Sequence, residues 1–211
     1  MHVLVAGAHG QVGQHVTSIL AESDHDVRGM IRSEDQIEAI EELGAEPVVA
    51  DLTEEVSHAV EGCDAVVFAA GSGGDAVWDV DRDGAITLME AAEDQGVERF
   101  VMLSSISADT PEEAPEALRD YLNAKAEADE RLRESDLTYT IVRPGELTNE
   151  NGTGRIRTST ELERTDGDVP REDVAQTLVT ALTAERTKGR TFEVLSGDDT
   201  IEAALEDPLE S

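Results

Sequence analysis

Three glycines stand at positions 7, 10 and 13 in the run Gly7-Ala8-His9-Gly10-Gln11-Val12-Gly13, directly after the apolar stretch Val3-Leu4-Val5-Ala6. Between a strand and a helix, each glycine has its own task. The first permits a tight turn, the second lets backbone approach a pyrophosphate, and the third lets helix and strand pack closely. The N-terminus of the helix that opens there turns its N–H groups toward the anion. The indicated chemistry is the binding of a dinucleotide's phosphates, with Gly7, His9, Gly10, Gln11, Val12 and Gly13 as contacts.

A site selective for an unphosphorylated ribose places an acid at the end of the second strand, bonded to the 2′-hydroxyl. Here that region reads Val27-Arg28-Gly29-Met30-Ile31-Arg32, in a chain holding 48 Asp+Glu. Two arginines stand where the acid would be. They read either as surface charges or as a guanidinium clamp on a 2′-phosphate, and the clamp makes NADP the expected cofactor rather than NAD. Tyr121 and Lys125 lie four residues apart in a helical stretch, so both face the same way. An unperturbed phenol titrates near 10, and a neighbouring ammonium is what brings it toward use near neutrality. The chain has only two lysines, Lys125 and Lys188, and otherwise uses arginine. That suggests a role at Lys125 that arginine, unable to lose its proton, could not fill.

These residues need a scaffold, and the hydrophobic pattern supplies one. Short apolar runs at 3–6, 27–31, 46–50, 65–70, 100–103 and 139–142 alternate with helical stretches at 13–22, 33–43, 56–60, 79–95 and 112–134. Runs apolar on both faces are strands of a parallel sheet covered by helices on each side. The expected fold is α/β, a Rossmann-like doubly wound parallel sheet. Residues 1–211 read as one such domain. About 148–211 form a small C-terminal substrate-side cap, with a helix at 171–184 and a last strand at 191–195 joining the sheet edge.

At successive strand ends stand Asp51-Leu52, Ala69-Ala70-Gly71-Ser72, Ser104-Ser105 and Arg143-Pro144-Gly145, with Tyr121-Leu122-Asn123-Ala124-Lys125 on the helix before the sixth strand. With the glycine run, this order resembles the short-chain dehydrogenase/reductase superfamily over nearly the whole chain. The likeness is to its atypical, sugar-epimerase-like, NmrA-like and flavin-reductase-like members. The resemblance implies that Asp51 and Leu52 contact adenine, that Ala69, Ala70 and Gly71 flank the cofactor, and that Pro144, Gly145 and Leu147 border the nicotinamide. It also implies Tyr121 as general acid/base, Lys125 as the group that lowers its pKa and bonds the ribose, and Ser105, with Ser104 as fallback, as donor to the substrate oxygen. The implied activity is that of an NADP-dependent oxidoreductase or epimerase-like enzyme acting on a small hydroxyl or carbonyl substrate. The alternative is a non-catalytic NADP-binding redox sensor or regulator, as NmrA-like proteins are thought to be.

Composition bounds the partners. With 16 Lys+Arg against 48 Asp+Glu, the formal net charge is -32. Phosphate backbones and anionic lipids demand basic patches, so neither nucleic acid nor a membrane surface is an expected partner. A surface rich in acids and nearly devoid of lysine resembles proteins of salt-loving microbes, because molar salt screens the self-repulsion. Cys63 is alone and precedes an apolar run, which reads as inert packing. The five histidines show no metal-ligand spacing. With no basic leader or long apolar run, the expectation is a cytoplasmic monomer or homodimer. The short, polar segment 148–168 argues against a bulky nucleotide-sugar substrate and does not name a smaller one.

Overall fold

Apolar runs and amphipathic stretches alternate in the computed structural model, which describes residues 1–207, much as they alternate in the sequence. Six strands come first: β1 (His2–Ala6), β2 (Asp26–Ile31), β3 (Glu46–Val49), β4 (Ala65–Phe68), β5 (Arg99–Leu103) and β6 (Thr138–Pro144). The helices between them are α1 (Gln11–Ala21), α2 (Ile37–Glu42), α3 (Ser57–Val60), α4 (Ala85–Asp94) and α5 (Glu116–Arg133). Then follow β7 (Glu146–Thr148), β8 (Arg155–Ser159), β9 (Asp168–Pro170), α6 (Arg171–Thr183), β10 (Arg190–Ser196), β11 (Asp199–Thr200) and α7 (Ile201–Glu206). Among the described residues no helix is long and apolar enough to cross a membrane.

The main sheet runs β11-β8-β10-β6-β5-β4-β1-β2-β3. The chain winds outward from β1 through β2 to β3, then returns to β4 on the other side of β1. That reversal opens a crevice at the carboxyl end of β1, where ligands bind in folds of this kind. Both faces are covered. Val3 and Val5 pack with Val16 and Leu20 of α1 and with Leu178 of α6. Leu4 and Ala6 face the other way, toward Leu88 and Met89 of α4 and Leu132 of α5. This is why β1 reads as continuously apolar. Leu4, Leu20, Leu88 and Leu132 are fully buried, and truncating any one to alanine would cost about 2–5 kcal/mol.

Three differences from the sequence reading bear on the site. The strand at 191–195, expected at the sheet edge, is internal: β10 pairs in parallel with β6 and antiparallel with β8, and β8 and β11 form the edge beyond it. The helix expected over 79–95 begins as a π-helix, Val77–Gly84, and becomes α-helical only at Ala85. The helix expected from 112 is broken at Pro115, which holds Ala114 extended at ψ 159°; α5 starts after it.

Candidate functional site

The glycine run forms the floor of the crevice. Gly7 has φ +81°, and a Cβ there would lie 2.6 Å from Cα of Ala70. A Cβ on Gly13 would lie 2.0 Å from the Gly7 carbonyl oxygen. The Gly10 N–H donates to that same oxygen at 2.9 Å, closing the turn. Gly10 then heads α1 without a side-chain cap, and the first turn holds no acid. In so acidic a chain this leaves a positive helix end clear for an anion. His9 and Gln11 are exposed beside it, whereas Val12 is buried against the sheet. These residues fit a pyrophosphate.

Arg28 and Arg32 are not brought together. They are four positions apart along extended chain, about 13 Å, and only Arg32 stands at the carboxyl end of β2, exposed on the crevice rim. Arg28 instead donates to the carbonyls of Ala59 at 3.1 Å and Glu61 at 2.9 Å, at the C-terminal end of α3. A helix C-terminus attracts a cation, and the clamp expected of Arg28 is thereby corrected. Asp51 accepts from the Thr53 N–H at 2.9 Å and hydroxyl at 2.8 Å, which hold its carboxyl below the usual range; Arg32 adds a smaller pull the same way. Asp51 and Leu52 border the crevice, as do Ala69, Ala70 and Gly71.

Lys125 lies on α5 with its side chain only 3% exposed, and its Nζ is 3.2 Å from Oδ1 of Asp81, itself 1% exposed. The contact is ionic, with no well-directed hydrogen bond to Oδ1. The same ammonium donates to the Leu103 carbonyl at 3.3 Å and stands 5.7 Å from the Phe68 ring centroid and 5.8 Å from that of Tyr121. Burial pulls its pKa down, but Tyr121 and the carboxylates of Asp81 and Asp129 outweigh it, and the net direction is up. Lys125 therefore stays charged beside the Tyr121 ring. Asp81 is held in turn by Ser72, whose N–H (3.1 Å) and hydroxyl (2.7 Å) both donate to Oδ2. The π-helix is what carries this acid inward. Such segments cluster at functional sites.

The two serines after β5 differ. Ser104 donates to the buried carboxylate of Asp129 at 2.8 Å, where Arg143 also binds at 2.8 and 2.9 Å. Burial raises Asp129's pKa despite Arg143 and Ser104. Both serines border the crevice, but only Ser105 has a hydroxyl clear of that network, accepting from Nη2 of Arg164 at 3.0 Å. Just beyond, Ser107 has φ +68°, the lone non-glycine positive φ among the described residues. On the far wall, Gly145 presses against β10, where a Cβ would lie 2.3 Å from Cδ2 of Leu195. Pro144, Gly145 and Leu147 line the crevice there.

The resulting cavity, about 1010 Å³, brings the glycine loop, Arg32, Asp51, Ser104, Ser105, Tyr121 and Lys125 to one space. That is at the upper end of the roughly 300–1,000 Å³ of small-molecule sites, as a dinucleotide with a substrate requires. Four cationic side chains (Arg32, Lys125, Arg164, Arg171) and four carboxylates (Asp51, Asp81, Asp120, Glu146) line it, against three acids per base in the chain. Sequence reasoning missed Asp81, Arg164 and Arg171, and named Ser72 only as the last residue of the turn after β4. Arg171 donates to the Leu147 carbonyl at 2.8 Å and to Asn149 at 2.9 Å, holding the far wall.

Comparison with known proteins bears on the fold and the class of cofactor. The uncharacterized sugar epimerase YhfK of Bacillus subtilis is 44% identical over 97% of this chain and 99% of its own. Among solved structures, the Bacillus halodurans protein described as a "putative NAD-dependent epimerase/dehydratase" is 42% identical, covers 98% of this chain and 99% of its own, and superposes with a TM-score of 0.94. The oxidoreductase ylbE of Lactococcus lactis is 32% identical over 98% of this chain and 95% of its own, with a TM-score of 0.88. The profile of the NAD(P)H-binding family matches residues 7–185, and the chain belongs to that family.

Proposed function

We propose that this protein is an NADP(H)-dependent oxidoreductase or epimerase-like enzyme of the short-chain dehydrogenase/reductase type, acting on a small hydroxyl or carbonyl compound. The observation that carries the reading is the common cavity of Tyr121, Lys125 and Ser105 with the glycine loop. Arg32, alone on the rim of β2, receives the 2′-phosphate. When bound, the nicotinamide supplies or accepts the hydride. Tyr121 gives the proton to the substrate oxygen, or takes it in the reverse direction, and Lys125 beside it favours the phenolate by charge. Ser105 orients that oxygen by turning its hydroxyl hydrogen from the Ile106 carbonyl, to which it donates at 3.3 Å, while Arg164 occupies one of its lone pairs. The names of the Bacillus relatives, epimerase and epimerase/dehydratase, support a hydroxyl–carbonyl chemistry.

The test is a pair of variants against a substrate found by screening. Tyr121→Phe keeps the ring's packing and the cofactor affinity while turnover falls by about 10²–10⁴-fold. Lys125→Met loses both turnover and part of the affinity. Full activity in Tyr121→Phe would overturn the acid/base assignment and favour a non-catalytic NADP-binding role.

A further inference from the structure

Arg164 sits in a place where a cation needs a reason. It opens a one-turn 3-10 helix, Arg164–Asp166, whose flanking acids are already engaged: Glu163 and Asp166 cap each other's backbone. The turn is fixed from both sides. The Leu162 N–H donates to the Glu193 carboxylate at 2.6 Å, and Arg157 donates to the Asp166 carbonyl at 2.9 Å. The half-buried Arg164 side chain thus borders the cavity from an anchored segment. Its Nη2 reaches Ser105, and its Nε is buried with no hydrogen-bond partner. Among the described residues no carboxylate pairs with it.

A buried N–H of a charged group without an acceptor is costly, and proteins rarely keep one without use. In a guanidinium, the Nε hydrogen and one Nη2 hydrogen project from the same edge, the fork that a carboxylate or phosphate takes with two parallel bonds. From this we infer that the substrate carries, besides its hydroxyl or carbonyl, an anionic group, carboxylate or phosphate, bound on the Nε/Nη2 edge of Arg164, which a small rotation of the half-buried side chain opens to the cavity. Arg164 is then a specificity-determining residue. With one Nη2 hydrogen on Ser105 and the other, beside Nε, on the anion, it sets the distance between the charged group and the reacting carbon. The inference rests on the proposed reaction for the identity of that carbon, but the anion site itself can be tested without turnover.

The experiment uses the protein saturated with NADP⁺ at constant KCl, titrated calorimetrically with malonate, with inorganic phosphate and with malonamide as the neutral control. Malonate or phosphate is expected to bind about tenfold tighter than malonamide, the scale of hydrogen bonds to a charged group. The stronger of the two anions identifies the source as carboxylate or phosphate. Arg164→Gln is expected to abolish that preference and leave NADP⁺ affinity unchanged; Arg164→Met, which keeps the stem's packing, is read the same way should the first variant misfold. Anions binding no better than malonamide, or a preference surviving in the variant, would overturn the inference. So would loss of NADP⁺ affinity in the variant, which would assign Arg164 to the cofactor. Wild-type malonate binding alongside full turnover in Tyr121→Phe would sink the acid/base reading and leave the anion site standing.

Discussion

The ammonium of Lys125 and the carboxylate of Asp81 face each other at 3.2 Å with almost no access to water. Removing one member leaves the other buried without a counter-charge, which costs about 3–5 kcal/mol. Asp81→Asn is therefore expected to be strongly destabilised in urea unfolding. Replacing the pair by apolar residues removes both desolvation penalties and is often neutral, so Asp81→Leu combined with Lys125→Met should recover most of the loss and still lack turnover. A double variant as unstable as the sum of the two single ones would show that the two side chains do not act as a pair.

Lys125, pulled down by burial but raised on balance by Tyr121 and then by Asp81 and Asp129, gives a pH dependence of known sign. The folded pKa of Lys125 lies above the ordinary 10.5, so the folded state holds the proton more tightly than the unfolded chain. That stability is fully present below pH 10.5 and is lost as pH rises through the folded value. The stability gap between wild type and the double apolar variant should change in this alkaline window and stay constant from neutrality up to it. A gap that opens only below neutrality would contradict the assignment.

Cofactor choice separates the two arginines of β2. Arg32 stands on the crevice rim and Arg28 caps α3. NADP(H) is expected to bind at least about tenfold tighter than NAD(H), some 1.4 kcal/mol. Arg32→Ala should erase the ratio, whereas Arg28→Ala should leave the ratio intact and lower stability by loosening the end of α3. Fluorescence titration of both reduced cofactors decides it, and an unchanged ratio in Arg32→Ala would remove the phosphate clamp.

What the sequence revealed and what it hid follow from the range of the forces involved. The order of strands and helices was readable because burial on both faces leaves continuous apolar runs, and the glycine loop because only glycine can occupy positions 7 and 13. Asp81 was not readable: as one of 48 acids, its burial depends on a π-turn that no residue type announces. Arg28 was misplaced because a strand's carboxyl end is a boundary, and four residues along β2 change which end of the sheet is reached. Arg164 lies on an irregular segment anchored by Glu193, distant in sequence, and by Arg157, which is nearby but on a strand whose pairing local pattern does not encode. β10 was expected at the edge because strand order beyond the sixth depends on pairings with β6 and β8 that local pattern does not encode.

Within the glycine loop, two alanine substitutions should behave differently. A Cβ on Gly13 would lie 2.0 Å from the Gly7 carbonyl oxygen, a backbone atom that cannot yield without moving the turn. One on Gly10 would lie 3.1 Å from the same oxygen, which a small shift relieves. Gly13→Ala should therefore lose both stability and cofactor binding, while Gly10→Ala should lose about 1 kcal/mol of stability or less and still weaken the cofactor, because the new methyl stands where phosphate approaches. Equal stability of the two variants in urea would contradict the close approach of α1 to the turn.

Salt should stabilise the fold, and the helix ends give the reason a location. α2 ends in Glu41-Glu42 with no basic residue in its last turn, whereas Glu93 near the end of α4 is already paired with Arg131 of α5 at 2.7 Å. An anion at the negative end of a helix costs about 0.3–1 kcal/mol at low ionic strength. α5, with Arg131 and Arg133 in its last turn, is the contrasting case. Added to the repulsion of a chain at net charge -32, these contacts weaken as the Debye length falls from about 10 Å at 0.1 M to about 3 Å at 1 M. The melting temperature is expected to climb steadily between roughly 0.1 and 2 M KCl, and Glu41→Lys with Glu42→Lys should raise it mainly at the low-salt end. A salt-insensitive melting temperature, or a charge reversal that stabilises equally at both ends of the range, would mean that screening of these acids is not what holds the fold.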